Sequence, residues 1–166
     1  MAAEAFGDRI AVVSGGSRYT YAELREAAQR AAAAIRASGA RHVALLDVNS
    51  PAAPVAIFAA AFAGVPYVPL NYRLTQPEIN ALIERVAPAY LVTGADYARL
   101  VAPREGVQVV ERAAFLSLPA ADGVLPEIGD DPREIAVQLF TSGTTGAPKA
   151  AILRHENLMS YIVGTV

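Results

Sequence analysis

The amino-acid sequence predicts a layered α/β fold in which a mainly parallel sheet is flanked by helices. Short apolar runs that are typical of buried strands, such as VALLDV at residues 43–48, alternate with longer segments whose apolar residues recur at helical spacing. The composition, with 54% hydrophobic and 18% charged residues, is that of a globular protein and not of a disordered chain. A length of 166 residues suits one domain or one lobe of a larger protein.

A hairpin and a capped helix are predicted near the N-terminus. Aromatic and β-branched residues surround a Gly-Gly turn within residues 9–21, which is typical of a β-hairpin. Thr20 and Glu23 then have the spacing of a capping box, so a helix is expected over residues 21–38. Gly39 is suited to end that helix because glycine readily adopts the left-handed conformation found there.

Strands and helices alternate through the middle of the chain. Residues 43–48 predict a strand that is buried on both faces. Asn49, Ser50 and Pro51 then predict the start of a largely buried helix over residues 51–63, which Gly64 ends. Residues 67–70 predict a short strand, although they include a proline.

A second capping box, formed by Thr75 and Glu78, predicts the next helix, which Pro88 ends. The apolar face of that helix is expected to consist of Ile79, Leu82, Ile83 and Val86. Two further strands are expected at residues 89–93 and 107–110, with a short helix around residues 95–101 between them.

The whole chain, residues 1–166, is expected to be part of one large domain with three segments. Residues 1–118 form the α/β lobe, and the acidic, proline-rich residues 119–133 form a surface loop. Residues 134–166 contain a strong strand at 135–140, a glycine-rich loop, an apolar strand and the start of a helix.

Charge and composition exclude several classes of protein. The net charge is −2 and no basic stripe is present, so no nucleic-acid partner is expected. The absence of cysteine and the presence of 2 histidines exclude a disulfide framework and argue against a zinc site. The N-terminus does not resemble a signal peptide, and no apolar run is long enough for a transmembrane segment. We therefore expect a soluble, cytoplasmic protein.

The glycine-rich loop TSGTTGAPK, residues 141–149, has the composition of a phosphate-binding loop. Its hydroxyl donors are Thr141, Ser142, Thr144 and Thr145. Gly143 and Gly146 allow the backbone to approach a ligand, and successive amides in such a turn can bind an anion. Lys149 adds a positive point charge. Three or four hydrogen bonds of about 1.5–3 kcal/mol each would hold a polyphosphate with about micromolar affinity.

Two common nucleotide-binding motifs do not fit this loop. In the Walker A motif the lysine follows glycine and precedes serine or threonine, whereas Lys149 lies between Pro148 and Ala150. The dinucleotide-binding pattern G-x-G-x-x-G is also absent. A plain hairpin turn rich in glycine and threonine remains the alternative interpretation.

TSGTTGAPK, with a strand before it, resembles the phosphate-binding signature of the adenylate-forming superfamily, which includes acyl-CoA synthetases, luciferases and the adenylation domains of peptide synthetases. Residues 17–40, 43–79 and 152–158 (ILRHENL) resemble other segments of that family, so the resemblance covers nearly the whole chain. Two residues depart from the family pattern. Ala150 stands where glycine is usual, and Arg154 stands where a serine or threonine helix cap, worth about 1 kcal/mol, is usual.

The resemblance implies an acyl-CoA synthetase-like ligase of which this chain is the N-terminal portion, an incomplete N-terminal lobe of the adenylate-forming fold. Such a ligase activates a carboxylic acid, for example a fatty acid, with ATP as an acyl-adenylate, and then transfers the acyl group to coenzyme A. Residues 141–146 would hold the β- and γ-phosphates of ATP, and Lys149 would offset their charge. The catalytic residues and the Mg²⁺ ligands are expected in family segments outside residues 1–166, so none is assigned here and the chain alone is expected to be inactive.

Two alternatives remain open: a stand-alone phosphate-binding or interaction module without catalysis, and a ligase that loads a carrier protein. Self-association is also expected, because an incomplete lobe exposes apolar surface. Structural roles are expected for His42, His155, Glu23 and Glu78. The aromatic residues expected in the core and sheet are Phe58, Phe62, Tyr67, Tyr72 and Tyr90. Asn157 and Tyr161 are candidates to approach the acyl or nucleotide site.

Overall fold

The computed structural model describes residues 2–119, 129, 131–141 and 148–165. Its strands are β1 Ile10–Ser14, β2 Ser17–Thr20, β3 His42–Leu46, β4 Tyr67–Pro69, β5 Ala89–Thr93, β6 Val107–Glu111, β7 Ile135–Thr141 and β8 Lys149–Arg154. Its helices are α1 Ala2–Ala5, α2 Tyr21–Ser38, α3 Ala52–Ala63, α4 Gln76–Val86, α5 Ala95–Ala98, α6 Arg112–Leu116 and α7 His155–Thr165.

Strands β3 to β8 form a six-stranded sheet with the order β6-β5-β3-β4-β7-β8. All neighbouring pairs are parallel except β7 and β8, which are antiparallel. Strands β1 and β2 form a separate antiparallel hairpin. The predicted α/β fold with a mainly parallel sheet is therefore confirmed, as is the predicted N-terminal hairpin.

Helix α2 has both predicted ends. The hydroxyl of Thr20 accepts a hydrogen bond from the Glu23 amide at 3.2 Å, and the Glu23 carboxylate accepts one from the Thr20 amide at 2.8 Å. Gly39 follows the helix with a φ of 69°, which is the left-handed conformation that favours glycine. The capping box at Thr75 is also present at the start of α4, where the Glu78 carboxylate accepts from the Thr75 amide at 2.8 Å.

The sheet is buried on both faces because alternate residues of its central strands enter two different cores. Val43 and Leu45 of β3 pack with α2 and α3, whereas Ala44 and Leu46 pack with α4. The predicted apolar face of α4 is at most 3% exposed and consists of Ile79, Leu82, Ile83 and Val86. Helices α3 and α4 therefore lie on opposite faces of the sheet.

This topology contains the reversal in connection direction at which ligands bind in open α/β folds. The connection after β3 leads to β4 on one side, and the connection after β5 leads to β6 on the other side. Ligands bind at the carboxyl ends of the strands where the direction of connection reverses. The carboxyl ends of the parallel strands β3 to β7 all lie along the same edge, called the carboxyl edge below.

Several expectations need correction. Helix α3 begins at Ala52 and not at Pro51, which is its N-cap residue. The Ser50 hydroxyl accepts from the Ala52 amide at 3.3 Å and so provides a partner for one amide of the first turn. Phe58 is 46% exposed, so the prediction that it lies in the core is wrong. The prediction failed because α3 is apolar on nearly every side and its sequence does not show which side faces solvent. The other expected aromatic residues are buried or half-buried, namely Phe62, Tyr67, Tyr72 and Tyr90.

The short helices α1 and α6 were not predicted, and α5 is shorter than the expected helix at residues 95–101. The predicted surface loop at residues 119–133 lies largely outside the described residues, apart from residues 119, 129 and 131–133. In the described ranges, no helix has both the length and the apolar character that crossing a bilayer requires.

Candidate functional site

The antiparallel strands β7 and β8 bring the two ends of the candidate phosphate loop together. Thr141, the last residue of β7, pairs with Lys149, the first residue of β8. The hydroxyl of Thr141 donates to the Lys149 carbonyl at 3.4 Å, the long limit of a hydrogen bond. The loop therefore starts and ends at one ladder position, which we call the hairpin base.

The remaining predicted phosphate contacts lie outside the described residues. These are Ser142, Gly143, Thr144, Thr145 and Gly146. Their role in phosphate binding stays a prediction, and so do the roles of Thr141 and Lys149.

The hairpin base lies at the carboxyl edge of the sheet. Strand β7 runs parallel to β4, with Val137 opposite Tyr67, so its last residue ends beside the ends of the other parallel strands. Lys149 is exposed and makes no ion pair with an acidic side chain in the ranges that the structure describes. An exposed cation at the ligand-binding edge of an α/β sheet is placed to attract an anion.

Arg85, in the last turn of α4, contacts both arms of this hairpin. Its Nη1 donates to the Pro148 carbonyl at 2.6 Å. Its guanidinium carbon lies 4.8 Å from the centre of the Phe140 ring, within the range of a cation–π contact. Sequence reasoning missed this residue because Arg85 and Pro148 are 63 positions apart and no local pattern connects them.

An ion pair with a buried carboxylate joins strand ends elsewhere along the carboxyl edge. The Asp47 side chain, which follows β3, is 1% exposed and accepts from Nη1 of Arg112 at 3.0 and 2.9 Å. It also accepts from the Val48 amide at 2.9 Å and from the Ser50 hydroxyl at 3.2 Å. Gly94, after β5, lies so close that a Cβ there would overlap Oδ1 of Asp47. These contacts join the ends of β3, β5 and β6, and no local sequence pattern predicts them.

The start of α7 is capped in a way that the sequence did not predict. Arg154 provides no short hydroxyl for a cap, but the Asn157 side-chain oxygen accepts from the Arg154 amide at 2.8 Å. The His155 amide donates to the Glu134 carbonyl at 3.2 Å. The expected loss of a helix cap is thus partly offset by other partners. Tyr161, on the same helix, is 73% exposed.

His42 occupies a half-buried position at the start of β3. Its Nδ1 atom is buried and has no hydrogen-bond partner in the described part of the chain. Burial lowers the pKa of His42 below its ordinary value, and a hydrogen bond to the Val86 backbone opposes this effect. His42 lies at the amino end of its strand, opposite to the carboxyl edge, so it belongs to the structural part of the sheet.

Other features do not form a competing site in the described ranges. No group of three or more histidine, aspartate or glutamate side chains lies close enough together to hold a metal ion there. A shallow surface depression is lined by residues that include Ser38, Pro88 and Gly106. It lies at the amino ends of β5 and β6, away from the hairpin base.

A family model described as "AMP-binding enzyme" matches residues 1–166. A feruloyl-CoA synthase from an Amycolatopsis species is 36% identical over 151 residues, which cover 89% of this chain and 30% of the relative. An indoleacetate–CoA ligase from Aromatoleum aromaticum is 34% identical, over 89% of this chain and 32% of the ligase. The chain thus spans about a third of the length of these curated relatives.

Solved structures agree with the sequence comparison. The o-succinylbenzoate CoA synthetase of Bacillus subtilis, in complex with its acyl-adenylate intermediate, superposes with a TM-score of 0.82 and 26% sequence identity. The superposition covers 98% of this chain and 43% of that enzyme. The similarity therefore extends over the described sheet and helices.

Proposed function

This chain belongs to the AMP-binding enzyme family, and we propose that it is the N-terminal part of an ATP-dependent acid–thiol ligase. The ligase activates a carboxylic acid as an acyl-adenylate and transfers the acyl group to the thiol of coenzyme A. The observation that carries this proposal is the family match along residues 1–166, together with the sequence TSGTTGAPK, whose described ends Thr141 and Lys149 lie at the carboxyl edge of the sheet.

In this proposal the hairpin base grips the pyrophosphate end of ATP. The hydroxyls and amides of residues 141–146 bind the β- and γ-phosphates, and Lys149 offsets negative charge as pyrophosphate leaves. Its exposed position without an acidic partner in the described residues supports this role. Such groups act by positioning and electrostatic stabilisation, because they hold the leaving group while the carboxylate attacks the α-phosphorus.

The proposed substrate class is a carboxylic acid, with no single acid assigned. Two relatives carry names that specify feruloyl and indoleacetate groups, so aromatic acids stand beside fatty acids as candidates. Mg²⁺ would neutralise phosphate charge in the complete site, and its ligands are proposed to lie in family segments outside residues 1–166. We place no acid-binding residue in this chain.

Exchange of radiolabelled pyrophosphate into ATP tests the proposal. We expect the full-length protein to catalyse exchange that depends on an added carboxylic acid, with a panel that includes fatty and aromatic acids. Residues 1–166 alone should give no exchange above background, since one set of phosphate contacts is not a complete active site. Exchange by residues 1–166 would contradict the assignment of catalysis to the remaining segments.

Two further outcomes separate the alternatives. A full-length protein that binds pyrophosphate but supports no exchange with any acid would identify a phosphate-binding module without catalysis. Exchange followed by transfer to a carrier protein, with no transfer to coenzyme A, would identify a carrier-loading ligase. Either result would overturn the proposed coenzyme A ligase activity.

A further inference from the structure

The last turn of α4 is joined to both arms of the β7–β8 hairpin through one side chain. Arg85 donates from Nη1 to the Pro148 carbonyl at 2.6 Å, immediately before β8 begins. The same guanidinium lies 4.8 Å from the centre of the Phe140 ring, one residue before β7 ends. Arg85 thus contacts the chain on either side of residues 141–147.

The two contacts fix different properties of the hairpin. Phe140 is half-buried and packs against the core that α4 shares with the sheet, so the ring provides an anchored surface beneath the guanidinium. The Pro148 carbonyl belongs to the residue next to Lys149, and a hydrogen bond to it restrains where β8 begins. A planar guanidinium can stack on a ring and donate in its own plane at the same time, which suits it to such a bridge.

We propose that Arg85 is a positioning residue for phosphate binding: it ties the hairpin base to α4 and so fixes where Lys149 is presented. This inference rests on the proposed phosphate-binding role of residues 141–149. In this role Arg85 acts through its contacts with Phe140 and Pro148 and does not itself bind the phosphate.

A matched control is available close by. Arg104 forms an ion pair with Glu84, the neighbour of Arg85 on α4, with a distance of 3.2 Å. R104A therefore removes one positive charge next to the same end of α4, and it leaves both contacts of Arg85 with the hairpin in place. A second variant, F140L, keeps the charge of Arg85 and the apolar character of residue 140 but removes the ring.

The experiment is calorimetric titration of the full-length protein with inorganic pyrophosphate, with melting temperatures measured on the same samples. We expect R85A to weaken binding about fivefold and R104A to weaken it less than about twofold, while both lower the melting temperature by similar small amounts. F140L should weaken binding about threefold, and the R85A/F140L double variant should bind about as R85A does, because both changes remove one bridge.

The outcomes are distinct. R85A that binds as tightly as R104A overturns this inference, even if wild-type binding is normal. If F140L binds pyrophosphate with unchanged affinity, Arg85 does not act through its contact with Phe140, and the positioning role is wrong. The effect of R85A would then be a long-range effect of charge. A wild-type chain that does not bind pyrophosphate overturns the proposed phosphate role, and this inference with it.

Discussion

Replacing Arg112 with alanine should destabilise the protein by about 2–3 kcal/mol, because it leaves a buried carboxylate without its counter-charge. The Asp47 side chain is 1% exposed, and both of its oxygens accept from Arg112. Two neutral hydrogen bonds remain in the variant, from the Val48 amide and the Ser50 hydroxyl. They satisfy part of the carboxylate but supply no positive charge.

The magnitude follows from how deeply each partner is buried. Removing one member of a fully buried ion pair costs about 3–5 kcal/mol. The Arg112 side chain is 37% exposed, so water can reach the space that it leaves and solvate the Asp47 carboxylate. The expected cost therefore lies at or slightly below the lower end of that range, about 2–3 kcal/mol. For a chain of 166 residues this free energy corresponds to a fall in melting temperature of about 5–10 °C.

Urea unfolding followed by far-ultraviolet circular dichroism gives the free energy of unfolding directly. R104A is the matched control, because its ion pair with Glu84 is largely exposed and should be worth about 0–1 kcal/mol. Adding D47N to R112A should recover part of the loss, since a buried amide needs no counter-charge. If R112A unfolds at the same urea concentration as R104A, the buried pair does not stabilise the carboxyl edge and the reasoning is wrong.

Two other predictions concern the same sheet. G94A should lose about 1–3 kcal/mol of stability, because its Cβ would overlap the Asp47 carboxylate. The control G16A should lose much less in the same urea assay, because its Cβ would meet no atom within 4 Å. Equal losses of stability in the two variants would contradict the close approach of Gly94 to Asp47. Burial lowers the pKa of His42 below 6.5 in the folded state, so the unfolded state binds more protons at this histidine. The free energy of unfolding should therefore fall as the pH drops through 6.5 towards the lower pKa of the folded state. H42Q should show a smaller fall over that interval than H155Q, and identical pH profiles for the two variants would count against the burial of His42.

Local chemistry explains which elements could be predicted from the sequence. The capping boxes at Thr20 and Thr75 each join residues three positions apart, so their spacing is visible in the sequence and the structure contains the expected contacts. Helix α4 alternates apolar and polar residues clearly enough to identify its buried face. The central parallel strands β3 and β5 are recognisable because burial on both faces produces continuous apolar runs.

The missed contacts are those that only the folded chain creates. Asp47 and Arg112 are 65 positions apart, and Arg85 and Pro148 are 63 positions apart. Nothing near either arginine distinguishes it from an ordinary surface arginine. The sequence therefore identified the loop and Lys149 as candidates, while the long-range contacts of Arg85 and Arg112 depend on topology.

Phe58 illustrates a different limit. Helix α3 consists almost entirely of apolar residues, so burial of any one of them is compatible with its pattern. The sheet and α2 cover one side of α3. Phe58 lies on the uncovered side of α3, and 46% of its surface is exposed. Hydrophobicity predicts that such a helix is buried on average, but not which residue remains at the surface.

The central claim, that the hairpin base binds the pyrophosphate end of ATP, is tested most directly by titrating the full-length protein with inorganic pyrophosphate. We expect saturable binding that K149A weakens about tenfold, in line with the loss of one charge-assisted contact. R18A removes an exposed positive charge from β2 and should leave the affinity unchanged. Wild-type protein without saturable binding, or K149A that binds as tightly as R18A, would contradict the claim.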